Sequence, residues 1–189
     1  IGDLAWAAGD IQARGFMLGG TAGRTTLNGE GLQHQDGQSH LHASFIPNCV
    51  SYDPTFSYEV AVIIQHGMKR MYENQENVFY YLTLMNENYV HPEMPKGSEE
   101  GIIKGMYLFQ AGAAKSKAPR VQLLGSGTIL REVIAAAELL KKDWGVDSDI
   151  WSAPSFNELR REALDCSRWS MLHPEAAPRL PYVTACLEK

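Results

Sequence analysis

The sequence predicts an α/β protein built as two successive units, each with a parallel or mixed sheet and helices on its faces. Three observations carry this. Stretches rich in aromatic and β-branched residues alternate with stretches whose apolar positions recur at helical spacing. A small, polar, basic segment, Gln110 to Pro119, interrupts that alternation, and a complete strand–helix–strand pattern begins directly after it.

Taken in order, Leu4, Ala7, Ala8, Ile11 and Phe16 recur at helical spacing, which predicts one short helix from Leu4 to Met17, ended by Gly19-Gly20. Gly19 to Asn48 is rich in glycine, threonine and asparagine without a sustained period and reads as a long loop with one turn of helix. Loops of that length in a compact domain are usually functional or disordered. "NCVSYDP" is a short strand closed by Asp53-Pro54. "TFSYEVAVIIQHGMKRMY" is a helix with Thr55 or Ser57 near its N-cap and Lys69-Arg70 at its dipole-favoured end. "NVFYYLTLM" is a buried strand running into Asn86-Glu87-Asn88-Tyr89. The proline-containing "VHPEMPKGSEEGI" and the Gln110 to Pro119 segment then read as a passage between units. Beyond it, "RVQLLGSG" is a strand, "TILREVIAAAELLKKDWG" an amphipathic helix with Gly145 as C-cap, and "VDSDIWSAPS" a second strand. "SFNELRREALD" is a helix opened by a Ser155/Glu158 capping box.

Composition narrows the function. The 189 residues carry a net charge of −5 and scattered lysines and arginines, so no basic face is offered to nucleic acid. No apolar run approaches the roughly 20 residues of a membrane helix. The three cysteines, Cys49, Cys166 and Cys186, are far apart and lack CxxC spacing, which suits a reducing cytoplasm better than a disulfide framework.

The densest chemistry lies in "GEGLQHQDGQSHLH", Gly29 to His42. His34, Asp36, His40 and His42 match no common metal-ligand spacing, and no metal site is expected there. An acid/base apparatus fits better: imidazole titrates near neutrality, and Glu30 and Asp36 lie four and two residues from His34. By themselves these residues leave His34 and His40 open between proton transfer and a solvated polar role. His42, His66, His91 and His173 read as structural. "GSGTIL" sets glycines between a strand and a helix N-terminus, where an anion could sit, although a tight βα turn is the better explanation.

The long words "WAAGDIQARGFMLGGTAGRTTLNGEGLQHQDGQSH", "IPNCVSYDP", "NENY", "VQLLGSGTILREV" and "RWSMLHP", in that order, closely resemble the decarboxylating first component of the homodimeric bacterial pyruvate dehydrogenase complex. "QDGQSH" also resembles the "EDGPTH" element of transketolase, a more distant thiamine-diphosphate relative. The resemblance implies parts of two three-layer α/β domains of the transketolase-like fold. Residues 1–95 would be the latter part of the pyrimidine-binding domain, 96–118 a linker, and 119–189 the start of the C-terminal domain. It implies catalytic roles for His34 with Glu30 as its acidic companion, and for Asp36 and His40. It implies thiamine diphosphate and magnesium as cofactors of the complete enzyme, but no cofactor-binding residue is assigned in this chain. The GDG-type diphosphate motif is missing here, and the cofactor-activating glutamate would lie upstream, so the chain reads as an internal portion that is inactive in isolation. The implied reaction is decarboxylation of pyruvate and reductive acetylation of a lipoyl group. The implied partners are the lipoyl domain of the dihydrolipoyl acetyltransferase component and a second subunit of a homodimer. Gln38 stands where the family commonly has histidine, so no histidine role transfers to that position. A transketolase-type carboligase and a non-catalytic portion with a folding or association role are the alternatives.

Overall fold

The structure, a computed structural model, describes residues 2–20, 36–85, 87–113 and 118–188. In the first half, helix α1 (Gly2–Asp10) is followed by strand β1 (Phe16–Gly19), short helix α2 (Ser39–Ser44), strand β2 (Cys49–Tyr52), helix α3 (Ser57–Met68) and strand β3 (Phe79–Thr83). The strands form a parallel sheet in the order β1-β3-β2, with Tyr80 beside both Phe16 and Val50. Side chains alternate across β3 and build two cores. Tyr80 and Leu82 pack with Val50, Tyr52, Ile63 of α3 and Met71, while Phe79 packs on the other face with Cys49, Ala5 of α1 and Ala43 of α2. Helices therefore lie on both faces, giving three layers.

The expected single helix from Leu4 to Met17 is corrected. It ends at Asp10, and Phe16, Met17 and Leu18 join the sheet as β1. Gln12 at φ 56° and Gly15 at φ 155° turn the chain, and neither angle continues a right-handed helix. Phe16 then packs onto α3 where that helix lacks a side chain: a Cβ on Gly67 would lie 2.8 Å from its ring. Helix α3 also begins differently from expectation. Its N-cap is Phe56, and Glu59 reaches back to accept the Phe56 N–H at 3.0 Å, so the cap comes from inside the helix rather than from Thr55 or Ser57. A π-helical turn, Lys69–Glu73, ends α3.

The second half comprises helix α4 (Glu99–Lys104), strands β4 (Tyr107–Gln110) and β5 (Arg120–Gly125), helix α5 (Gly127–Trp144), strand β6 (Asp147–Ser152), helix α6 (Phe156–Leu172) and helix α7 (Tyr182–Leu187). Its sheet runs β4-β6-β5 and is mixed: β5 pairs parallel with β6, and β4 pairs antiparallel with it. The expected strand–helix–strand unit is β5-α5-β6, with Gly145 in the left-handed conformation at φ 65° closing α5. The stretch 96–118, which the resemblance implied to be a linker, contains α4 and β4. Strand β6 is buried along its whole length, with Ile150 toward α5 and Trp151 toward α6 and α7.

Candidate active site at the junction of the two sheets

In parallel α/β sheets, groups that meet ligands gather beyond the carboxyl ends of the strands. Here that end of the first sheet meets the N-terminus of α5. The chain enters it through Asp36, which accepts the N–H groups of Gln38 and Ser39 at 3.2 and 3.0 Å and the Ser39 hydroxyl. This is a local Asx-type turn that ties down the N–H groups of the N-cap Gln38 and the first helical residue just ahead of α2. Partial burial pushes the Asp36 carboxyl up, but the Ser39 and Gln38 hydrogen bonds with the nearby His40 ring hold it below the usual carboxylate value.

His40 follows in the first turn of α2. Its Nε2 lies 2.9 Å from the hydroxyl oxygen of Thr83, the last residue of β3, and its ring tilts against Tyr81 with centroids 5.3 Å apart. The Asn157 amide of α6 donates to the His40 carbonyl at 2.7 Å and to the Ser51 hydroxyl at 2.6 Å. Both the ring and the backbone of His40 are thus held.

Thr83 donates its hydroxyl hydrogen to Asp53 at 2.5 Å, and Asp53 accepts the Ser126 hydroxyl at 3.0 Å. The Asp53 backbone spans the junction as well, donating to the Pro154 carbonyl at 2.6 Å and accepting the Gly127 N–H at 2.9 Å. Gly127 stands at φ +50°, and a Cβ there would lie 2.5 Å from Asp53 Oδ1. The "GSG" turn therefore does meet an anion at the N-terminus of α5, and that anion is the chain's own Asp53 carboxylate.

Glu59 is a further carboxylate of the junction and is fully buried. It accepts Thr55 N–H at 2.5 Å, Phe56 N–H at 3.0 Å, Tyr107 O–H at 2.7 Å and Ser152 O–H at 2.6 Å. The Tyr58 and Tyr107 hydroxyls lie 2.7 Å apart, which extends the chain. Burial pushes the Glu59 carboxyl up, and its four hydrogen bonds oppose that only in part. Ser155 O–H to the Ser51 carbonyl at 2.6 Å and Arg161 to the Cys49 carbonyl at 2.9 Å complete the polar seam.

Of the residues that the sequence singled out, the structure brings Asp36 and His40 to this junction. His34 and Glu30 lie outside the described residues. His91 accepts the Ser57 N–H at 3.0 Å through Nδ1, and His173 Nδ1 lies 2.8 Å from the Trp169 carbonyl. Cys49 is buried, and burial pushes its thiol up to about 12, the mark of an inert cysteine. The sequence reading missed Asp53, Thr83, Ser126 and Asn157. Asp53 did carry a signal, since a carboxylate closing a parallel strand stands where such sheets display functional groups. Ser126 lay within the "GSGTIL" word that the sequence offered as an anion turn, and Thr83 and Asn157 carried none.

The family model described as "Pyruvate dehydrogenase E1 component middle domain" matches residues 1–92, and that described as "Transketolase-like TK C-terminal domain" matches residues 105–189. The chain is similar to proteins named "Pyruvate dehydrogenase E1 component": 66% identical over 188 residues in Cupriavidus necator, covering 100% of this chain and 21% of the relative. In Pseudomonas aeruginosa it is 65% identical over 187 residues, with 99% and 21% covered, and in Escherichia coli K12 61% over 184 residues, with 97% and 20% covered. The chain thus spans about a fifth of the length of the curated relatives it matches. Among solved structures, a transketolase variant from Pichia stipitis shares the fold with a TM-score of 0.58 at 18% identity, over 82% of this chain and 22% of that one.

Proposed function

The chain belongs to the pyruvate dehydrogenase E1 component family, and we propose that it supplies the substrate side of the active site in a thiamine-diphosphate-dependent enzyme. That enzyme would decarboxylate pyruvate and reductively acetylate a lipoyl group. The observation that carries this reading is the junction itself. Two residues of "QDGQSH", Asp36 and His40, stand there at the carboxyl end of a parallel sheet, one bracing the turn ahead of the helix that presents the other.

Among the described residues no group of three or more His, Cys, Asp or Glu side chains could hold a metal ion. The junction's Asp53 and Glu59 carboxylates already accept hydrogen bonds from donors of this chain, so the described residues do not fit as the cofactor's anchor. When bound, thiamine diphosphate supplies the electron sink for decarboxylation. The residues of this chain then act on the substrate. The oxygen of an attacked carbonyl gains negative charge and a proton, and an imidazole can stabilise the one and exchange the other. His34, with Glu30 as companion, is assigned that proton transfer, and His40 and Asp36 are assigned supporting roles on the substrate side. We place the division between the units within 96–118, and assign the remaining contacts to a second copy of the chain and to a lipoyl domain. Among the described residues no helix is long and apolar enough to cross a membrane, and we assign the protein to the cytoplasm.

Replacing His34 by Ala in the full-length protein tests this. Pyruvate decarboxylation is expected to fall by ~10² to 10⁴ while the melting temperature holds, because a general acid/base is worth that much in rate. Unchanged turnover overturns the assignment.

A further inference from the structure

Thr83 has one hydroxyl hydrogen and two acceptors in view, Asp53 Oδ1 at 2.5 Å and the Tyr52 carbonyl at 3.4 Å. The nearer, charged oxygen takes it. With its hydrogen committed, the Thr83 oxygen can only accept from His40 Nε2 at 2.9 Å, so the hydrogen-bond network places a hydrogen on that nitrogen. Nδ1 is then the nitrogen that takes up or releases a proton. Thr83 is 4% exposed and Ser126 9%, so water competes weakly for either hydroxyl.

Asp53 has no such effect unless it is itself held. Its carboxylate is fixed from the second sheet, by the Ser126 hydroxyl and by its seat against Gly127 at the start of the 18-residue α5. We propose that Thr83, Asp53 and Ser126 are positioning residues that set the tautomer of His40, so that the second unit determines which imidazole nitrogen exchanges a proton with substrate. The catalytic part of this statement rests on the substrate-side role given to His40 above. The path has three hydrogen bonds and links residues 43, 30 and 73 positions apart in sequence.

The test uses full-length protein labelled with 15N-histidine, read by magic-angle-spinning spectra in which His40 is assigned by its loss in His40→Gln. Wild type and Thr83→Ser are expected to show a protonated Nε2. Thr83→Val, which keeps the shape and removes the hydroxyl, is expected to show a mixture of tautomers. It should also lower turnover about 10-fold or more, less than the ~10² to 10⁴ that loss of a general acid/base costs, with KM for pyruvate little changed. Thr83→Ser should restore both readouts. A Thr83→Val spectrum identical to wild type overturns the proposal. A change in Thr83→Val with none in Ser126→Ala overturns the part assigned to the second unit. Undiminished turnover in His40→Ala sinks the substrate-side role of His40, while the spectra still decide whether its tautomer is set through Thr83.

Discussion

Removing the Glu59 side chain should cost far more than making it neutral. Glu59→Ala leaves four buried donors without an acceptor: the Thr55 and Phe56 N–H groups and the Tyr107 and Ser152 hydroxyls. Each orphaned donor costs about 1–3 kcal/mol, though water entering the vacated space recovers part of it. A net loss of about 3–5 kcal/mol is expected, which at roughly 2–4 °C per kcal/mol for 150–250 residues lowers the melting temperature by ~6–20 °C. Glu59→Gln should behave differently. Its amide oxygen can take the two backbone N–H groups, and its NH₂ can donate to the Tyr107 and Ser152 oxygens once Tyr107 turns to donate to Tyr58. Because the amide carries no charge to desolvate, its cost should stay within about 1 kcal/mol at neutral pH. The pH dependence follows from the direction of the Glu59 shift. Burial raises its folded value above the unfolded one, so the native state binds the proton more tightly. That contribution is fully present below the ordinary glutamate range and is lost as pH rises through the raised folded value. Melting temperatures of wild type, Glu59→Gln and Glu59→Ala across acid to neutral pH would show it, with the wild-type slope missing from Glu59→Gln. Equal destabilisation by both substitutions at neutral pH would refute the reversible hydrogen-bond chain, and a Glu59→Ala cost below about 1 kcal/mol would refute the role of Glu59 as the hub of the junction.

Asp36→Ala should lose the hydrogen-bonded turn ahead of α2, worth about 1 kcal/mol, or ~2–4 °C in melting temperature. Since the folded Asp36 carboxyl is held below its usual value, this contribution is present above the ordinary aspartate range and is lost as pH falls through the lower folded value. A cost that persisted unchanged in strong acid would show that the loss is one of packing. Gly127→Ala should cost about 3 kcal/mol or more in denaturant unfolding, because its left-handed backbone penalty is joined by a Cβ driven onto the Asp53 carboxylate. Gly145→Ala, at φ +65° but with open space around it, should lose only the backbone part, about 1–2 kcal/mol. Equal losses would mean that Asp53 does not sit against α5.

By itself the sequence determined the elements whose signals are local. β2, α3, β3, β5, α5, β6 and α6 each carry their own periodicity, cap or strand composition, so an α/β fold was legible before any contact was known. So was the word that brings Asp36 and His40 together, because a turn and the helix that follows it are neighbours in sequence. Tertiary structure decided the rest. The apolar spacing from Leu4 to Met17 suits a helix throughout, and Phe16–Gly19 became a strand because β3 offered an edge at Tyr80–Thr83 and Gly67 a seat for Phe16. The β4 strand, four residues long at the edge of its sheet, is too short for alternation to be read. Asp53, Thr83 and Ser126 are separated by 30 and 73 positions and meet only because the β2–β3 register and the docking of α5 bring them together. A hydrogen-bond path of that kind is a property of three-dimensional register, and a one-dimensional pattern holds no trace of it.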